Sequence, residues 1–262
     1  MSATIRSRSN ALLRRVGAVQ AGKDAGVLVL EGERLIEDAL RAGLALEVVL
    51  VAEPLVEHAA RWSERAPVRP VEAGLLERVS RLETPPGMIA LCPCPDPPAL
   101  EALEAGPRAL VLVVAGVSDP GNLGAMARSA EAAGADALIV TQCSASPWGS
   151  KALRGSMGSL LRLPCLHGAA AAEVATLLSA RGFRQVRAAT RGGVDLQAMD
   201  WNGPVALWIG SETGALPEGT RAFEGVTIAT ATGVESLNVT VAASLLLFAT
   251  GRVAAGKAGD DG

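Results

Sequence analysis

No apolar run in this sequence reaches the roughly 20 residues that a membrane-crossing helix requires. The opening, Met1-Ser2-Ala3-Thr4-Ile5-Arg6, lacks the apolar core of a secretory signal. Cysteine and histidine are scarce. The four cysteines (Cys92, Cys94, Cys143, Cys165) form no C-x-x-C pair, and His58 and His167 stand far apart. That argues against a zinc site, and it makes a reduced, cytoplasmic compartment the simplest expectation. No solenoid repeat is present. An excess of positive charge is missing too, since 24 Lys and Arg face 27 Asp and Glu. The chain as a whole therefore carries no nucleic-acid footprint.

What is present is a chain of 262 residues, 49% of them apolar, enough for two modest domains each with its own core. Charge is unevenly spread. Met1 to Lys23 holds Arg6, Arg8, Arg14, Arg15 and Lys23 and not one acid. Such an arm is either a local patch that meets phosphates or the solvated face of an amphipathic first helix.

Apolar periodicity predicts helices over 5–20, 32–42, 54–65 and 72–79, with strands at 27–30, 48–51, 68–71 and 87–92. Residues 92–98, Cys-Pro-Cys-Pro-Asp-Pro-Pro, read as a linker, because prolines permit neither a helix nor a central strand. A short helix is expected at 100–105. Beyond it, strands are predicted at 109–115, 137–141, 185–190, 205–210 and 226–230, with helices at 123–133, 169–181 and 236–250. Continuous apolar strands separated by helices imply an α/β fold with a parallel sheet covered on both faces. The domains are expected at 1–98 and 109–255, with the linker spanning about 92–108.

Ligands of open parallel sheets bind outside the carboxyl ends of the strands. Three loops fall there. In the first, Asp119-Pro120-Gly121-Asn122-Leu123-Gly124, Asn122 is either an N-cap or a site residue, and Arg128 lies further along the helix. The glycines do not make a dinucleotide site: the spacing is not G-x-G-x-x-G, and the next strand ends Thr141-Gln142-Cys143 with no acid for a ribose. The second loop, Gly210-Ser211-Glu212-Thr213-Gly214, flanks a carboxylate with glycines, which suits a tight turn or a ligand contact. The third is Glu235-Ser236-Leu237-Asn238. Ser236 is a natural N-cap there, and Asn238, in the first turn of an apolar helix, needs a partner in a ligand or in the backbone.

Asn122, Gly124 and Arg128, then Gly210-Ser211-Glu212 with Gly214, then Ser236-Leu237-Asn238-Val239-Thr240-Val241-Ala242 resemble, in order, the three motifs of the SpoU (or TrmH) family of RNA ribose 2′-O-methyltransferases. Ser156-Met157-Gly158 followed by Leu163-Pro164 also resembles that family. In the N-terminal half, residues 31–40 and 83–90 resemble the L30e-like substrate-binding domain that precedes the catalytic domain in many members. One departure stands out: Ile228-Ala229-Thr230 replaces the family's frequent Ile-Pro-Met.

The resemblance implies a SPOUT-class domain with a deep trefoil knot behind a smaller L30e-like α/β domain, S-adenosylmethionine as cofactor, no metal, and a homodimer with its active site near the subunit interface. Gly210, Ile228, Leu237 and Thr190 occupy the cofactor-holding positions. Arg128 matches the catalytic arginine. An arginine normally keeps its proton, so its expected task is to orient the 2′-hydroxyl and the adjacent phosphate. Asn122 and Glu212 are expected to position it, and Ser236 and Asn238 to shape the site. Arg6, Arg8, Arg14, Arg15 and Arg34 are the expected RNA contacts. The L30e-like domain favours rRNA, 23S in the first place, over tRNA. A catalytically silent, knotted RNA-binding protein is the alternative from another class.

Overall fold

The computed structural model describes residues 3–24, 26–98, 103–211, 216 and 219–253. The chain divides into two compact units, residues 1–96 and 97–262.

The first unit is built on strands β1 (Val27–Glu31), β2 (Val48–Ala52), β3 (Val68–Val71) and β4 (Met88–Pro93), in the order β1-β4-β2-β3. Of these strand pairs, only β2–β3 is parallel. Every residue of β1 and β2 is buried, which requires cover on both faces of the sheet. Helices α1 (Ala11–Gln20) and α4 (Ala73–Val79) contribute Leu13, Val16 and Leu76 to a core shared with Val29, Leu50 and Leu91. Helices α2 (Glu33–Arg41) and α3 (Val56–Ala59) complete the unit.

The structure corrects three expectations in this unit. The first helix begins at Ala11 rather than at Ile5. Asn10 caps it by accepting from the Leu12 N–H at 2.9 Å, and Ile5 instead bridges Val71, donating to the Pro70 carbonyl at 2.9 Å. Residues 54–65 do not form one helix. They break into a 3-10 turn (Glu53–Leu55), α3 and a second 3-10 turn (Ala60–Trp62), tight turns that carry Ala59 and Trp62 into the core. Cys92 and Pro93 belong to β4, a strand between two others. Pro93 is tolerated because it pairs only with Val27 and lies past the end of the β2 ladder, which stops at Leu91.

Among its described residues the second unit holds seven strands: β5 (Leu110–Val114), β6 (Ala137–Val140), β7 (Cys165–His167), β8 (Arg184–Ala188), β9 (Val194–Asp195), β10 (Val205–Ile209) and β11 (Glu224–Thr227). Their order is β7-β6-β5-β10-β8-β11-β9, and every neighbouring pair is parallel. All carboxyl ends therefore share one edge. The helices are α5 (Pro120–Ala132), α6 (Ser150–Ser156), α7 (Ser159–Arg162), α8 (Ala171–Ala180) and α9 (Val239–Ala249). Of the helix expected at 100–105, residues 100–102 lie outside the described residues, and 103–105 are irregular.

Two packing details fix the strands and helices around the carboxyl edge. Trp208, fully buried in β10, donates its indole N–H to Gln185 at 3.0 Å, and Gln185 donates onward to the Ala175 carbonyl and the Ser179 hydroxyl. A buried indole keeps its stabilisation only when its N–H is satisfied, and this network does that. Helices α5 and α6 touch backbone to backbone. A Cβ on Gly124 would lie 2.3 Å from the Ala152 carbonyl oxygen, and one on Gly155 would lie 3.3 Å from that of Gly121.

Candidate active site

Asp119 starts α5. Its carboxylate accepts from the Asn122 N–H at 2.8 Å, and Pro120 occupies the first helical position, where a missing N–H costs nothing. The other carboxylate oxygen receives Lys151 Nζ of α6 at 2.6 Å. The lysine ammonium and the backbone N–H of Asn122 hold this acid below the usual carboxylate range. Its contribution is therefore present above that range and is lost as pH falls through the lowered value. Asn122 is thus inside the first turn of the helix and is not its cap.

Helix α9 is capped by Asn238, whose side-chain oxygen accepts from the N–H groups of Thr240 at 2.9 Å and Val241 at 3.3 Å. Ser236, the natural cap by sequence, precedes the helix by three positions. The cap ties the two helices together, because the Thr240 hydroxyl donates to Asn122 Oδ1 at 3.2 Å. Further along, the hydroxyls of Ser129 and Ser244 pair at 2.7 Å. Replacing Asn238 by alanine is expected to destabilise the second unit by about 1 kcal/mol through the lost cap. Urea unfolding followed by tryptophan fluorescence measures it; an unchanged midpoint would show that α9 needs no side-chain cap.

At the carboxyl ends of β8, β10 and β11 lies a cavity of about 480 Å³, within the range of small-molecule sites. Thr190, Gly210, Ile228, Ser236, Leu237 and Asn238 all line it. They come from four separate segments of the chain, with Ser236, Leu237 and Asn238 consecutive in one loop, and the fold gathers them at one edge. Thr230 lines it as well, at the position where the sequence departs from Ile-Pro-Met. Sequence reasoning missed Arg187, Arg191 and Glu235, and also Ala242 and Leu246 of α9, which close one wall. Arg187 follows the two buried residues of its strand, Gln185 and Val186, and Arg184 at the strand start is charged as well, so the sequence did not single it out.

Two of the expected site residues stand apart. Asn122 does not line the cavity; its Oδ1 accepts from the Thr240 hydroxyl of α9. Arg128 is exposed and does not line the cavity; it makes no hydrogen bond or ion pair among the described residues. On α5 it shares the stripe of Gly121 and Gly124 that faces α6, whereas Asn122 and Ser129 face α9. The expectation that Asn122 holds Arg128 directly therefore finds no such contact in the described geometry. Glu212 lies outside the described residues.

The expected RNA contacts also divide. Arg6 pairs with Glu53 at 2.8 Å, and Arg15 is engaged by Glu47 and Asp24. Arg8, Arg14 and Arg34 are exposed and unpaired among the described residues. No group of metal-binding side chains occurs among the described residues, and no helix there is long and apolar enough to cross a membrane.

A parallel sheet with a cavity at its carboxyl edge, walled by loops between strands and helices, defines an α/β protein that binds a small molecule at that edge. Residues 109–248, more than half of the chain, match the SpoU rRNA Methylase family, and residues 21–90 match the MRM3-like substrate binding domain. The chain belongs to the SpoU rRNA methylase family. It is 30% identical over 225 residues to the Bacillus subtilis 23S rRNA (guanosine(2553)-2′-O)-methyltransferase RlmP, covering 84% of this chain and 86% of that one. The AdoMet-bound rRNA methyltransferase from Sinorhizobium meliloti has the same fold (TM-score 0.84, 26% identity, 95% of this chain and 97% of that one). So does the SpoU methyltransferase AviRb from Streptomyces viridochromogenes in complex with AdoMet (TM-score 0.83, 28% identity, 92% and 97%).

Proposed function

We propose that this protein transfers a methyl group from S-adenosylmethionine to a ribose 2′-hydroxyl of 23S rRNA, in the cytoplasm, as a homodimer. The observation that carries the reading is the cavity at the carboxyl edge, on which loops matching two of the family motifs converge and beside which the third begins α5. Its volume suits a nucleoside-sized ligand, and its wall mixes backbone-rich loops with the apolar side chains of Ile209, Val226 and Leu246. The Bacillus, Sinorhizobium and Streptomyces relatives are rRNA or SpoU methyltransferases, and two of them hold AdoMet in their solved structures.

When bound, the cofactor supplies an electrophilic methyl group on a sulfonium. Gly210, Ile228, Leu237 and Thr190 hold it, largely through backbone groups. Asn238 fixes the start of α9 and so the orientation of Leu237 and Val239. Arg128 would orient the ribose hydroxyl and its neighbouring phosphate; as the oxygen takes the methyl group, its proton would pass to solvent and the sulfonium would leave as the neutral thioether, S-adenosylhomocysteine. Alignment is the main contribution of such a site, since in-line displacement gains most from held geometry.

The homodimer reading is supported by the exposed apolar face of α9 and by the position of Arg128 outside the cavity. Val241, Leu245 and Phe248 are 48%, 44% and 51% exposed at i, i+4 and i+7, an apolar stripe uncovered in the single chain. A second copy seated on this stripe brings one protomer's Arg128 toward its partner's cavity, which α5 of its own chain does not supply with an arginine. The knot is part of the same proposal. It is supported by β10, which enters between β5 and β8 although it follows both, and by α9, which returns to pack on α5.

Labelled cofactor offered with separately purified 23S rRNA, 16S rRNA and tRNA, all from a strain lacking the protein, tests the reading. Label is expected in 23S rRNA, at a position that stops primer extension at low nucleotide concentration. Label in tRNA alone would refute the substrate, and label only in protein or DNA would refute the activity. Replacing Arg8, Arg14 and Arg34 together by alanine is expected to raise KM for RNA several-fold and to flatten its salt dependence, with cofactor affinity unchanged. An unaltered KM would remove these three from the RNA surface.

A further inference from the structure

Arg187 is the penultimate residue of β8, and it lines the cavity. Three arginines of the second unit, Arg184, Arg187 and Arg252, have a buried Nε without a hydrogen-bond partner. Two of them are engaged elsewhere. Arg184 donates to Glu224 at 3.0 Å, and Arg252 donates to the carbonyls of Trp201 and Gly203 at 2.7 and 2.6 Å. Arg187 makes no hydrogen bond or ion pair among the described residues. Its Nη2 lies over Gly225, its register partner on β11, where a Cβ would come within 3.4 Å of it. The glycine leaves the room that the guanidinium occupies.

A guanidinium partly withdrawn from water and left unpaired is costly, and its planar fork is satisfied best by a planar pair of oxygens. We propose that Arg187 binds the α-carboxylate of the methionyl tail of S-adenosylmethionine, side-on through Nε and an Nη. The inference rests on the cofactor occupying this cavity. The carboxylate is the one anionic group of that molecule. Arg187 is thus a tail-recognising residue, which selects ligands that carry the amino-acid end and holds the demethylated product by the same group.

Calorimetric titration of the full chain tests this with three ligands: S-adenosylmethionine, S-adenosylhomocysteine and 5′-methylthioadenosine, which lacks the amino-acid tail. Arg187→Met is expected to weaken the first two about 10- to 100-fold and to leave the third unchanged. Gly225→Ala, which crowds Nη2 without touching the charge, is expected to weaken the same two by a smaller factor. Equal losses for all three ligands would mean that Arg187 only supports the cavity. Unchanged cofactor affinity with a raised KM for RNA would assign the guanidinium to an RNA phosphate instead. Gly210→Trp separates the location of the cofactor from the role of the arginine. If it leaves cofactor affinity intact, the cavity is not the cofactor site; if it abolishes binding while Arg187→Met changes nothing, only the role of Arg187 falls.

Discussion

Replacing Arg128 by alanine is expected to lower methyl transfer at least about 100-fold, the scale of removing one preorganised group that acts on the reacting centre, while cofactor binding is retained. The separation follows from geometry. The cavity is complete without Arg128, which stands exposed on α5 outside the lining. Arg128→Lys is expected to recover little, because an ammonium cannot present the planar fork that engages a hydroxyl and a phosphate together. The same geometry makes the arginine's address testable. In a mixture of Arg128→Ala chains with cavity-blocked Gly210→Trp chains, each inactive alone, a site in trans pairs an intact cavity with an intact arginine in mixed dimers. Activity is then expected to return to about one quarter of wild type, since half the dimers are mixed and each has one working site. No recovery would place arginine and cavity on the same chain, and retained turnover in Arg128→Ala alone would remove the catalytic assignment altogether.

The second large effect is on stability. Gly124→Ala places a methyl group 2.3 Å from the Ala152 carbonyl oxygen, 2.9 Å from the Ser156 nitrogen and 3.0 Å from the Gly155 carbonyl carbon. All three are backbone atoms, so no side chain can swing aside and the helices must separate. A cost of about 3 kcal/mol is expected, at the upper end of overpacking effects. Gly17→Ala in α1 is the matched control. It is also a helical glycine, but its new Cβ meets nothing within 4 Å, so a gain of about 0.5–1 kcal/mol is expected. Denaturant unfolding of both variants decides. If Gly124→Ala were as stable as wild type, α5 and α6 would not be held at backbone contact in solution. A shift of α5 also moves Asn122 away from Thr240, so activity is expected to fall further than stability alone dictates.

The central strands were legible because both faces of the sheet are covered there, which leaves runs such as Leu110 to Val114 with no polar interruption, whereas the short edge strand β9 (Val194–Asp195), exposed at both residues, was not. Helix starts were harder. Asp119-Pro120 is a cap followed by a first-turn proline, yet the glycines after it drew attention to Asn122. Ser236 and Asn238 are both good caps, and only the path of the chain decides between them. Helices α6 and α7 with strand β7 went unread because the segment is short and rich in serine and glycine. It also turns at Met157 through a left-handed conformation (φ 51) that no local pattern announces. The site loops were legible as motifs, but not their distance from one another. That Asn122 meets Thr240 while Arg128 points elsewhere is set by helix phase and by the Gly124–Gly155 crossing. Arg187 was hidden by its setting, since a strand residue at the edge of a buried run reads as a rim residue until its empty surroundings are known.

Strand β10 sits between β5 and β8, and the walls of the cavity come from residues between Arg187 and Leu246. On the ribosome, β5, β6 and β7 emerge first with one side of β5 still unpaired, and they wait through some ninety residues (from Val114 to Val205) for their neighbour. Sequence-distant parallel pairing of this kind is slow and leaves an open edge meanwhile. The four-stranded first unit needs no such wait, since all of its strands lie before residue 94. Vectorial synthesis thus completes the first unit well before a methyl donor has anywhere to bind, and chaperone demand should fall on the interval before β10 arrives.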